Sequence, residues 1–214
     1  MSAHVLVRVW LPDRPGALGA VASRIGATRG DIVGLDVLER GNAVAVDEFA
    51  VELEQVELVP MLVREIEEVD GASVEEVRIV ESFPDPRIDA LESASELCLA
   101  DGVDELHKVL VCQLRDEFLA DWVALLRDGN LVGADGAHPP TERLVAFAAG
   151  AVASPLVAEG ASGPDDLAIA TLPAHDATLL VGREGHPFRR RERLQLLALT
   201  RIADRAWELL ARRD

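Results

Sequence analysis

Leu11-Pro12-Asp13-Arg14-Pro15-Gly16-Ala17-Leu18-Gly19 joins two different periodicities. The run before it, Val5-Leu6-Val7-Arg8-Val9-Trp10-Leu11, is apolar and alternating, which predicts a strand. After it, Leu18, Val21, Ala22 and Ile25 recur at helical spacing. The stretch therefore reads as a tight turn from a strand into a helix. Pro15 suits the first helical position, where a missing N–H costs nothing. Gly16 is expected where a ligand or a second backbone must come close. The opening N–H groups of a helix have no partner inside it and carry partial positive charge, so a carboxylate can dock there without a basic side chain. Asp13, just before the turn, could hold an ammonium group, and the two features together could grip both ends of an amino acid. The same residues also make a plain turn in which Asp13 only caps the helix. On this stretch alone both readings stay open.

Outward from the turn, a helix over 15–29 ends at Gly30, and residues 31–39 read as a second strand. Arg40-Gly41-Asn42 is a hairpin-type turn into a third strand over 44–53, where Phe49, Val51 and Leu53 share one face. Val56, Val59, Leu62, Val63, Ile66 and Val69 mark a second helix stopped by Asp70-Gly71, and Val74, Val77, Ile79 and Val80 make a fourth strand. The order is βαββαβ, the ferredoxin-like arrangement of an antiparallel sheet with both helices on one face. It leaves one sheet face and one strand edge open, places that a second copy commonly covers.

The L-P-D-R-P-G-A-L turn, followed at the second strand by Gly30-Asp31-Ile32-Val33, resembles the ACT domain, over residues 3–80. The resemblance implies a small effector, most often an amino acid, bound where two copies pair. Asp13, Arg14, Gly16, Ala17 and Leu18 would then touch the ligand, and Ile32 and Val33 would face it across the pair. Some ACT domains only dimerise, which leaves a purely structural adaptor as the alternative.

Residues 81–87 form a linker in which Pro84 and Pro86 stop the last strand and stiffen the connection, dividing the chain into 1–80 and 88–214. Beyond it, 88–100 reads as a helix with Ile88, Leu91, Ala94 and Cys98 on its apolar stripe. A second helix over 103–118 carries Val103, Leu106, Leu110 and Leu114 inward, with Val109 and Phe118 widening the stripe and His107 beside it. A strand from about 121 runs through Asp128-Gly129-Asn130, a hairpin signal, into Leu131-Val132-Gly133-Ala134. Pro139 and Pro140 open a helix with Leu144, Val145, Phe147 and Ala148 inward, and 150–164 reads as an irregular loop holding Leu156-Val157. Strands follow at 167–172 and 177–183. A last helix over about 189–212 carries Leu194, Leu197, Ala198, Ile202, Ala206, Leu209 and Leu210 as its stripe, with Arg189-Arg190-Arg191 as a solvated start.

The strand ending Leu179-Leu180-Val181-Gly182-Arg183, then Phe188 and Glu192 opening the final helix, resembles the end of a GAF domain, and Trp122 to Gly136 resembles that family's first hairpin. The resemblance spans about 88–212. It lacks the asparagine-lysine and aspartate-glutamate signature of cyclic-nucleotide members and any cysteine placed to attach a bilin, so it assigns no ligand. It implies a second pocket, a dimerising surface, or both. The expected fold class is α+β: an N-terminal ferredoxin-like, ACT-like domain and a C-terminal GAF-like domain with an antiparallel sheet flanked by helices.

Composition bounds the function. The 214 residues carry a formal charge of −17. Residues 1–80 hold 15 acids against 7 bases, a net −8, and the remainder holds 23 against 14, a net −9. Both halves repel phosphate backbones, so no nucleic acid and no membrane is expected as partner. Cys98 and Cys112 sit in helical patterns and read as reduced core thiols. No basic-then-apolar leader opens the sequence and no run of 18 apolar residues occurs, which points to the cytoplasm. His4, His107, His138, His175 and His186 show no metal-ligand spacing, and neither a phosphate loop nor a nucleophile elbow occurs. The expectation is a non-enzyme with no cofactor and no metal: a homodimer that binds a small effector and signals to an unidentified downstream protein.

Overall fold

Alternating valines make the first strand. β1 (Ala3–Pro12) turns Val5, Val7 and Val9 to one side, where each is fully buried. A computed structural model describes residues 2–41, 43–152 and 166–212. They divide into two compact units, one ending at Phe83 and the other beginning at Pro84.

In the first unit β1 is followed by α1 (Ala17–Ala27), β2 (Asp31–Gly41) and β3 (Val44–Leu53). A short 3-10 turn (Val56–Leu58), α2 (Val59–Glu67) and β4 (Ser73–Val80) complete it. The strands form one antiparallel sheet in the order β2-β3-β1-β4. This is the ferredoxin-like arrangement that the element order predicts. Phe49, Val51 and Leu53 of β3 join the β1 valines, Val21 and Ile25 of α1, and Leu62 and Ile66 of α2 in one core. β2 and β4 are the sheet edges, and β2 leaves Val33, Leu35 and Val37 exposed.

The glycines flanking α1 serve different ends from those expected. The helix stops at Ala27, and Thr28 closes it through an Oγ1 hydrogen bond to the Ile25 carbonyl (2.7 Å). The residue in the left-handed region is Arg29, at φ 61°, not Gly30. Gly30 instead lies against the core: a β-carbon there would sit 2.9 Å from Val51 Cγ1 and 3.1 Å from Ile25 Cγ2. Arg29→Gly is therefore expected to stabilise the chain by about 0.5–1 kcal/mol. Gly30→Ala is expected to destabilise it by about 1–3 kcal/mol through overpacking. Urea unfolding of the two variants checks the pair of opposite signs.

The second unit holds α3 (Pro86–Leu99), α4 (Val103–Glu117), β5 (Trp122–Arg127) and β6 (Asn130–Gly136), then α5 (Thr141–Val152), β7 (Leu167–Leu172), β8 (Ala177–Gly182) and α6 (Arg190–Leu210). Its antiparallel sheet has the order β6-β5-β8-β7. Alternate residues of β5 and β8 serve two cores. Val123, Leu125, Leu179 and Val181 meet Leu106, Leu110 and Leu114 of α4 and Leu199 and Trp207 of α6. Ala124, Leu126 and Leu180 meet Leu144 of α5. The fold is thus α+β with two four-stranded antiparallel sheets.

Two helical faces differ from expectation. In α3 the buried residues are Ser93 and Leu97, whereas Ile88, Leu91 and Cys98 face outward. The Ser93 hydroxyl donates to Glu117 Oε2 at 2.6 Å, so a polar anchor turns the helix away from its apolar stripe. Cys98 and Cys112 are both exposed free thiols rather than core residues. In α6 the inward row is Glu192, Leu196, Leu199, Ala203, Trp207 and Leu210, while Leu194, Ile202 and Leu209 of the predicted stripe are exposed. Leu197 and Ala206 are half-buried against the core.

A buried arginine fixes that rotation. Arg183, 2% exposed, donates to the carbonyls of Phe118 (2.8 Å), His186 (3.0 Å) and Pro187 (2.8 Å) and to Glu192 Oε1 (3.0 Å), and its guanidinium lies 4.2 Å from the Phe188 ring centre. Glu192 also accepts from the Arg189 N–H at 2.8 Å, pinning the start of α6. The basic run at this helix start is therefore only partly solvated: Arg190 is exposed, Arg189 and Arg191 are half-buried, and the adjoining Arg193 is buried with its guanidinium on the Leu167 carbonyl (2.8 Å). The loop predicted over 150–164 begins later than expected, since α5 runs through Val152; residues 153–165, with Leu156-Val157, lie outside the described residues.

Candidate functional site

The turn between β1 and α1 forms one wall of an open cleft of about 460 Å³, a size suited to a small molecule. Five of the seven residues singled out in the sequence, Asp13, Arg14, Gly16, Ala17 and Leu18, line it together. Its other walls come from β2 and β3, through Val37, Arg40, Ala45 and Asp47. Strand register brings these two walls together: Val37 pairs with Asp47 and Arg40 with Ala45.

Neighbouring turns hold the wall in place. The Asp13 N–H donates to the Ala43 carbonyl at 2.9 Å, tying it to the β2–β3 hairpin. On the other side Gly71, at φ 78°, abuts Pro12: a β-carbon there would meet Pro12 Cγ at 3.1 Å. Arg14 reaches Asp70 Oδ2 at 3.3 Å, an exposed contact that adds little.

Helix geometry at the turn differs from the sequence reading. α1 begins at Ala17, so Pro15 lies outside the helix, and Gly16 is the N-cap at φ 89°. No described residue lies within 4 Å of a β-carbon placed on Gly16, so its requirement is the left-handed backbone rather than a close neighbour. The Ala17 N–H is used by the Arg14 carbonyl at 3.3 Å, and the first intrahelical bond is Ala20 N–H to Gly16 (3.0 Å). Between them the Leu18 and Gly19 N–H groups have no backbone partner among the described residues. They are the donors open to an anion.

The cleft's charges are arranged differently from the expected lone acid. Asp13 Oδ1 accepts from Arg40 Nη2 at 2.5 Å, so its carboxylate is already paired. Arg40, read from the sequence only as part of a turn, is the missing partner, on a side chain that is largely exposed. Asp47 has no sequence signal beyond an acid within an apolar strand. It is 5% exposed, and its Oδ1 has no hydrogen-bond partner among the described residues. Burial pushes its carboxyl above the usual carboxylate range; the Arg40 guanidinium pulls it back and the Asp13 carboxylate pushes it up again.

Ile32 and Val33 do not line the cleft. Ile32 is half-buried against the core of its own unit and Val33 is 50% exposed at the sheet edge.

The described residues of the second unit also form a groove and a recess. The groove, of about 530 Å³, runs between α3 and α6, lined by Leu97, Cys98, Ile202, Ala206 and Leu209, with Arg201 and Arg205 at its side. The recess, of about 300 Å³, is lined by Trp122, Arg143, Phe147, Asp166 and Arg183. His175, which the sequence leaves in a turn beside Asp176, contacts Asp204 instead (Nδ1 to Oδ1, 2.9 Å) and stacks on Trp207, with His107 edge-on to the same ring. Among the described residues no group of three or more His, Cys, Asp or Glu could hold a metal, and no helix is long and apolar enough to cross a membrane.

No family model matches the chain, and no curated protein does. Among solved structures it is similar to the ACT domain from GTP pyrophosphokinase of Chlorobium tepidum, at 12% identity and a TM-score of 0.29, over 39% of this chain and 89% of that one.

Proposed function

We propose that this chain is a non-enzymatic regulatory protein whose first unit, an ACT-like domain, binds a small effector, most simply an amino acid, in the cleft beside α1. One observation carries the reading. The Leu18 and Gly19 N–H groups have no backbone partner among the described residues, and Leu18 lines the same cleft as Asp13, Asp47 and Arg40. A zwitterion needs such a pairing: backbone donors for its carboxylate and an acid for its ammonium group. The exposed Val33, Leu35 and Val37 on edge strand β2 support pairing with a second copy, through which Ile32 and Val33 would approach a ligand bound by the partner. In the GAF-like second unit, the apolar groove between α3 and α6 supports a second dimerising surface. Effector binding would favour one packing of the two copies, and a downstream protein would read the change.

Thermal-shift measurements with each of the twenty amino acids test this. An effector present at 100 times its Kd adds about 2.7 kcal/mol to stability, which for a chain of this length is a rise of roughly 5–10 °C. Absence of any shift, in a chain that forms a stable dimer, would instead support an adaptor that only dimerises.

A further inference from the structure

Asp47 has no explanation in the packing of its unit. It sits in the middle of β3 between the register partners Val9 and Val37 and is almost wholly buried, yet Oδ1 has no hydrogen bond among the described residues. A buried acid in that state weakens the fold, and an asparagine or a valine would serve the strand better. Functional sites are where such local costs are kept. Asp13, by contrast, is answered at 2.5 Å by Arg40. The two acids share the one cleft; Arg40 is hydrogen-bonded to Asp13 and acts on Asp47 only through its charge, leaving Asp47 Oδ1 without a hydrogen bond among the described residues.

We propose that Asp47, and not Asp13, receives the cationic group of the effector, so that the cleft selects molecules carrying an ammonium group close to a carboxylate. This rests on the reading of the cleft as an effector site and names the residue that sets its specificity. The effector's carboxylate takes the Leu18 and Gly19 N–H groups at the start of α1. Its ammonium group supplies the donors that Asp47 lacks. Because Oδ1 is closed to water in the ligand-free chain, binding includes a side-chain adjustment at the rim, and the exposed Arg40 is the group able to move. The Asp13–Arg40 pair then acts as a neutral rim beside the acid that does the selecting.

The test compares the full chain with Asp47→Asn and Asp13→Asn, titrated calorimetrically with the twenty amino acids. For each amino acid that binds, the same carboxylic acid without its amino group is titrated as well. Asp47→Asn is expected to bind the amino acid at least 30-fold more weakly while leaving the deaminated acid's affinity unchanged. Asp13→Asn is expected to lose less than fivefold. A second readout needs no ligand. The Asp47 carboxyl holds its proton to a higher pH in the folded than in the unfolded chain, so the wild type loses relative stability as pH rises through that interval. Asn does not titrate. The ligand-free Asp47→Asn chain is therefore expected to melt higher than wild type at pH 7, with the gap closing towards pH 3. Undiminished amino-acid binding by Asp47→Asn, or a larger loss in Asp13→Asn, overturns the assignment and leaves the effector reading intact. A wild type that binds none of the twenty overturns both.

Discussion

Replacing Arg183 by methionine is expected to cost about 3–5 kcal/mol, the loss characteristic of breaking a buried ion pair from one side. The substitution takes the Arg183 guanidinium away from the Glu192 carboxylate and withdraws the donors that reach the carbonyls of Phe118, His186 and Pro187. Those contacts join the end of α4, the turn after β8 and the first turn of α6, so the damage is shared by three segments of the second unit. Much of the cost comes from taking a guanidinium away from a buried carboxylate. The double variant Arg183→Met/Glu192→Leu should accordingly be less damaged than the sum of the two single changes by at least about 1 kcal/mol. Urea unfolding of the four proteins of that cycle measures both quantities. A single-variant cost under about 1 kcal/mol would mean that Arg183 does not organise this end of the unit.

Gly136→Ala is expected to cost about 3 kcal/mol, from two sources of similar size. Gly136 ends β6 at φ 78°, a conformation that costs an L-residue about 1–2 kcal/mol. A β-carbon there would also stand 2.0 Å from the Asp121 carbonyl oxygen and 2.9 Å from Trp122 Cα. Both are backbone atoms and cannot rotate away, so the hairpin must open. Gly129→Ala is the control. It too has a left-handed φ, 74°, but no described residue lies within 4 Å of the added carbon. It should lose only the conformational part, and equal losses in the two variants would contradict the steric argument.

The first unit was legible because its strands alternate cleanly. Val5, Val7 and Val9 in β1 and Phe49, Val51 and Leu53 in β3 fix which face is buried, and the element order then fixes the sheet. The helices of the second unit were harder for a definite reason. Their inward rows contain polar residues, Ser93 in α3 and Glu192, Arg193 and Thr200 in α6, whereas apolar residues such as Leu91 (67% exposed) and Leu194 (48% exposed) lie outside. A stripe drawn from hydrophobicity alone misses hydrogen bonds that make a polar side chain the better inward choice. Arg183, Phe188 and Glu192 form a pattern in the sequence, but the contacts of Arg183 with the other two become visible only once β8 and α6 are in place.

The same division runs through the candidate site. Asp13 to Leu18 came together because they are contiguous. Arg40 and Asp47 did not announce themselves because they reach the cleft through strand register, from positions 22 and more residues beyond Leu18. Asp13 looked like the acid for an ammonium group because nothing in the sequence reveals its partner on the neighbouring strand. Asp47 looked like an incidental acid in an apolar run because burial without a hydrogen bond is a property of the folded chain alone.

Backbone amides at the start of α1 are the proposed seat of the effector's carboxylate. The direct measurement is the amide spectrum of the isotope-labelled chain, recorded while an amino acid that raises its melting temperature is titrated in. The Leu18 and Gly19 amide protons are predicted to move downfield in step with saturation, ahead of amides elsewhere in the first unit. Saturation with those two resonances unmoved would place the ligand elsewhere and contradict the account.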